Sequence, residues 1–236
     1  MSIRVITLLT TVVASLAAAH ANVPIIVSGG AGKRVAMNFS NKAEKQLENG
    51  DLAGAKRNVD AALQADPKFW PALYQRAEIL AMQGKYQLAI ADCNEALRQY
   101  PGFVEASLLR ATINAGLGKY AEASKEFNYL ISIHPRRVTL GRALKQRAWF
   151  QSTCPDPAFR NGQQAVKDAK AACSISEWRD EDTLDTLAAA YAETGDFDSA
   201  VRYAAQALAV KGIAPMDQKH IQRHLILFQQ HRPIRL

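Results

Sequence analysis

The sequence predicts an all-α chain, an α-solenoid of stacked helix-turn-helix hairpins closed by a C-terminal capping helix. Three observations predict it. Prolines recur at Pro67, Pro101 and Pro135, a step of 34 residues taken twice. Small residues keep the same step, at Gly50, Gly84 and Gly118, at Ala43, Ala77 and Ala111, and at Ala55, Ala89 and Ala123. Between these markers the apolar and small residues fall at helical spacing, as in Leu73, Ala77 and Leu80, then Ala89, Cys93, Ala96 and Leu97.

Each column has a physical reason. Alanine lets two helix backbones approach closely. Glycine supplies the backbone freedom of a tight turn between the helices. Proline ends the second helix, because the residue before it is driven out of the helical region. A single hairpin of this kind cannot bury its apolar face alone, so the copies must stack.

Taken from the start, residues 1–21 read as a secretory signal peptide: Arg4 supplies the positive end, Val5 to Ala19 are apolar and small, and Ala19-His20-Ala21 is an A-x-A cleavage pattern. The apolar stretch is shorter than the roughly 20 residues a spanning helix needs. The expected location of the mature chain is beyond the inner membrane, in a bacterial periplasm, where cysteines pair. Residues 22–35, with the run SGGAGKR, read as a flexible lead-in. That run is not a phosphate-binding loop, since Val27 stands where the first glycine belongs and Arg34 where the magnesium-binding hydroxyl belongs.

The array follows over 36–214, in copies 36–69, 70–103, 104–137, a divergent 138–178, and 181–214. This pattern resembles the tetratricopeptide repeat family, a 34-residue helix-turn-helix; the middle copy carries its markers as Ala77, Gly84, Tyr86, Ala89, Ala96 and Pro101. The stretch LDTLAAAYAETGDFDSAVRYAAQAL from Leu184 matches most fully, through Leu187, Ala188, Tyr191, Gly195, Phe197, Ala200 and Ala207. The resemblance covers nearly the whole chain after residue 35 and implies a scaffold that binds a protein or peptide.

The period stumbles once. Marker alanines lie 12 residues apart in the regular copies, but Ala148 to Ala165 is 17, so TCPDPAFRNG is an enlarged turn. Its two prolines and Asn-Gly pair make it a defined loop. The form also resembles a divergent bacterial sub-type of these repeats, with Cys154, Cys173 and Trp178 at its marked positions. That resemblance, with an oxidising compartment, implies a disulfide between Cys154 and Cys173 that ties the loop to its helix; the alternative is three unpaired packing thiols. Cys93 falls in a helix-core column. Last, residues 215–236 place Ile221, Leu225 and Phe228 on one helical face and read as a capping helix and tail.

Composition excludes a disordered chain: 48% of residues are apolar and 22% charged. Net charge is +7 and unevenly spread. Eight basic residues (Arg136, Arg137, Arg142, Lys145, Arg147, Arg160, Lys167, Lys170) face two acidic ones over 136–170, and eight acidic residues face Arg179 alone over 177–198. Either the two segments neutralise each other in the fold, or the first is a basic surface for an anionic polymer or membrane.

No catalytic, cofactor or metal pattern stands out. His220 and His224 share a helix face but lack a third ligand. The chain therefore reads as non-catalytic, with no cofactor, no metal and no nucleic-acid partner. The groove positions that the family resemblance implies are Met37, Ser40 and Glu44, then Tyr74, Glu78 and Met82, then Leu108 and Thr112, then Arg142, Lys145 and Trp149. Such a groove is apolar in its middle and basic toward the fourth copy, suiting an acidic segment.

Overall fold

The computed structural model describes residues 30–133 and 136–235. The expected signal peptide, most of the lead-in and Pro135 lie outside them. Eleven α-helices and one short 3-10 turn make up the described chain, with no strand among the described residues. They divide into two compact units that meet in sequence at Leu117 and Gly118.

The first unit holds α1 (Ala31–Glu48), α2 (Leu52–Ala65), α3 (Trp70–Met82), α4 (Tyr86–Gln99) and α5 (Val104–Gly116). Consecutive helices pack antiparallel as hairpins, and α1, α3 and α5, the first helices of their copies, also pack side by side. The marker alanines Ala43, Ala55, Ala77, Ala89 and Ala111 are fully buried at these contacts. Gly84 takes φ +73° between α3 and α4, a left-handed turn that a β-carbon would strain. Polar pairs fix the packing: Ser40 Oγ donates to Gln75 Oε1 at 2.9 Å and Gln75 Nε2 donates to the Ser40 carbonyl at 3.1 Å, joining α1 to α3. Arg76 donates twice to Asp92, at 2.7 Å each, joining α3 to α4.

The second unit holds α6 (Tyr120–Ser132), α7 (Arg137–Thr153), the 3-10 turn Pro157–Phe159, α8 (Gly162–Ile175), α9 (Glu181–Glu193), α10 (Phe197–Leu208) and α11 (Pro215–Gln229). Its core contains Ala148, Ala165, Ala169, Cys173, Leu184 and Leu187. A second cluster joins Ala188, Ala189 and Ala192 of α9 to Phe228 and Ile234 from the chain's end. Arg147 donates twice to Asp168, at 2.6 and 2.9 Å, in the register that Arg76 and Asp92 occupy relative to their own marker alanines. The hairpin geometry thus survives the longer turn.

Two expectations are corrected. The flexible lead-in does not reach residue 35, because α1 begins at Ala31 with Gly30 at its N-cap. Nor do Cys154 and Cys173 pair: neither is in a disulfide, and both are buried, as Cys93 is. Cys154 caps the end of α7, while Cys173 lies in α8 with its thiol toward the Thr183 carbonyl, 3.7 Å away. Other bonds hold the enlarged turn. The Asn161 amide donates to the Gln151 carbonyl at 3.0 Å, Arg160 donates to the carbonyls of Cys154 and Pro155 at 3.0 Å each, and Asn161 caps α8 through the Gln164 amide. Phe159 packs against Tyr120 and Phe150, with ring centroids 5.8 and 6.3 Å away. With the loop anchored by these contacts, a cross-link has no gap to close.

Candidate functional site

In the first unit the implied groove positions are mostly covered. Tyr74 and Leu108 are buried, and Tyr74 meets Phe103 edge-on at 4.9 Å. Burial, then the neighbouring carboxylates of Glu78 and Glu105, push the Tyr74 hydroxyl well above its ordinary value. Glu78 is fully buried, whereas Met82 at the end of α3 is half-buried. Ser40 is committed to Gln75. The accessible part of this face is therefore the end of α3 at Met82 and the half-buried Met37 and Glu44 of α1.

In the second unit the expected basic character is cancelled at its centre. Lys145 is only 8% exposed and stands 3.6 Å from Asp182 and 3.9 Å from Asp180. Burial raises the Asp182 pKa to about 6 against the pull of Lys145. Burial also works against the charge of Asp180, but Lys145 and the hydrogen bonds from Thr183 keep its pKa lowered. Arg147 pairs with Asp168, and Arg160 pairs with Glu193 at 3.0 Å. The acidic run over 177–198 thus answers part of the basic run over 136–170, and Arg142 stays half-buried on α7.

Trp149 is placed differently from a bare groove residue. Its ring lies 5.7 Å from His224 of α11, and its indole packs against the cluster that holds Ala188, Ala192, Phe228 and Ile234. Here the chain's end lies over the faces of α7 and α9. His224 Nδ1 stands 2.7 Å from Asp185 Oδ2, Arg235 pairs with Glu193 at 2.6 Å, and Arg235 also donates to the Ser152 carbonyl at 3.2 Å. Burial disfavours charge on His224, but Asp185 outweighs it and raises the His224 pKa.

These contacts escaped the sequence reading, which took residues 215–236 as an end cap alone. The available signal was charge: four carboxylates and no cation from Glu181 to Glu193, against Lys219, Arg223, Arg232 and Arg235 with one carboxylate after Pro215. His220 and His224 do not converge on a common ligand set, since His224 is engaged by Asp185; among the described residues no group of three or more His, Cys, Asp or Glu side chains is placed to hold a metal. No described helix is long and apolar enough to cross a membrane.

Known proteins share this geometry. Two models described as tetratricopeptide repeat match, over residues 41–102 and 80–148. No curated protein matches the chain. Among solved structures, TTC0263, a thermophilic TPR protein of Thermus thermophilus, is similar at 17% identity and TM-score 0.67, over 81% of this chain and 100% of that one. Pseudomonas aeruginosa pilF is similar at 12% identity and TM-score 0.63, over 85% and 91%. YrrB, described as a TPR protein with an unusual peptide-binding site, is similar at 16% identity and TM-score 0.52, over 80% and 92%. At such identities the likeness is one of fold.

Proposed function

The chain is a tetratricopeptide repeat protein, and we propose that it is an exported, non-catalytic scaffold that binds a protein or peptide on the faces of its first helices. The observation that carries this reading is the side-by-side packing of α1, α3 and α5 in one unit and of α7 and α9 in the other. Within each unit, adjacent first helices make a helical surface of the kind that takes an extended or helical segment. A repeat fold of this type serves as an interaction scaffold, and YrrB, similar in fold, is described by its peptide-binding site.

Export rests on the charged start, apolar run and A-x-A pattern of residues 1–21. Contact with the partner falls to Met37, Glu44 and Met82 in the first unit and to Arg142 and Trp149 in the second, the implied groove positions that keep some exposure. Tyr74, Glu78, Leu108 and Lys145 shape these faces from beneath, being buried.

The test is a pull-down from an envelope extract with the chain from Asn22 onward, beside Met82→Ala and a double Arg142→Ala, Trp149→Ala variant, at low and moderate salt. A discrete protein kept by the parent at both salts and lost by a folded variant supports the scaffold. Retention of many anionic components at low salt alone contradicts it, as charge-driven adsorption behaves that way.

A further inference from the structure

Residues 215–235 do more than close the end of the stack. Pro215 opens α11 after a connection, residues 209–214, that is largely exposed and contains Gly212 at φ +85°. From there Ile221 and Phe228 enter the core seven residues apart, and Ile234 follows. Three polar anchors complete the seat: His224 on Asp185, and Arg235 on both Glu193 and the Ser152 carbonyl. The segment packs chiefly against α10 and, through His224 and Arg235, also touches α7 and α9, the helices on which the proposed function places the partner in this unit.

The seat is charge-matched but incompletely satisfied. Two carboxylates of α9, Asp185 and Glu193, meet His224 and Arg235 of the tail, while Trp149 Nε1 and Asp185 Oδ1 are buried there with no hydrogen-bond partner among the described residues. Buried polar atoms left without partners weaken an interface, so this occupant is one that a better-matched segment displaces. We propose that the α7 and α9 face is a peptide-binding site whose resident ligand is residues 215–235, and that its external ligand is a basic amphipathic helix of another protein. That helix carries apolar side chains seven residues apart, as Ile221 and Phe228 are, and a cation for Asp185, and it is followed, past its C-terminus, by a further cation for Glu193 about seven residues beyond the second apolar residue, as Arg235 is. The proposal rests on the scaffold reading above and specifies the chemistry of its partner.

The probe is a fluorescent synthetic peptide of residues 215–235, titrated against the full chain. In the parent the tethered segment competes at a local concentration of about a millimolar, so the peptide binds weakly. A His224→Ala, Arg235→Ala variant loosens the resident copy and binds the peptide about tenfold or more tightly. Adding Glu193→Gln to that variant removes the gain. Equal or weaker binding by the loosened variant, with its helical circular dichroism intact, overturns the proposal. If that variant does not fold, hydrogen exchange on the parent decides: amides of α11 exchanging at least about tenfold faster than those of α9 support release of the segment, and exchange of both together overturns it. A pull-down that finds no partner leaves these readouts unchanged, so failure of the scaffold reading and failure of this one are told apart.

Discussion

The Nδ1 atom of His224 stands 2.7 Å from Oδ2 of Asp185, an ion pair that fastens α11 to α9. His224 has its pKa raised above the ordinary 6.5 by this carboxylate, which outweighs burial and the nearby Arg223. A raised folded value means that the pair contributes fully below 6.5 and that the contribution fades as pH rises through the folded value. His224→Gln should therefore destabilise the chain by about 2 kcal/mol at pH 6 and by distinctly less at pH 9, read from thermal melts at both.

Asp182 acts in the same direction at lower pH. Its carboxyl titrates at about 6 in the fold against 3.8 for the free group, so ionising it costs stability, and that cost grows as pH rises from 3.8 to about 6. Asp182→Asn should flatten the melting temperature across that window while leaving the window above it, set by His224, in place. A variant whose profile keeps the parent's slope between pH 4 and 6 contradicts this assignment.

The cysteines make a chemical prediction. None of the three thiols is in a disulfide and all are buried, and burial raises Cys173 to about 12. Native protein should react slowly with a thiol reagent, and denatured, unreduced protein should release three equivalents. Reductant should leave the melting temperature unchanged. One equivalent after denaturation would restore the disulfide.

Arg160 is the principal clamp of the enlarged turn, through two carbonyls at 3.0 Å each and Glu193. Arg160→Ala should cost about 2 kcal/mol in chemical denaturation, and faster exchange should be confined to residues near 154–161. A loss spread evenly over the chain would assign Arg160 a different part.

Gly84 tests the repeat logic. It sits at φ +73° with open space where a β-carbon would stand, so Gly84→Ala meets backbone strain and no clash. The expected cost is about 1 kcal/mol. Gly84→Asn, which tolerates this conformation better, should cost less.

Much of the fold was legible because repetition multiplies weak signals. Ala77 alone says little, but Ala43, Ala77 and Ala111 in one register demand a close helix contact, and all three are fully buried. The enlarged turn was legible from the spacing of Ala148 and Ala165. What holds that turn was not, since Arg160 acts through carbonyls of the turn itself and Phe159 through rings on α6 and α7, contacts that residue spacing does not reveal. The site was less legible than the fold. A groove position taken from the repeat pattern fixes a place on a helix, not its cover. Trp149 has that place, yet its surroundings depend on where α11 comes to rest. Lys145 read as a groove cation because Asp180 and Asp182 lie beyond the loop and helix that separate them from it.

The central claim, that the first-helix faces bind a discrete partner, is tested most directly by site-specific photocrosslinking in intact cells. A photoreactive side chain replaces Met82 or Arg142, with exposed Lys167 on α8 as the control position. The account predicts a defined crosslinked protein from positions 82 and 142 and none from 167. No adduct at 82 and 142, or the same unselective products at all three, would contradict it.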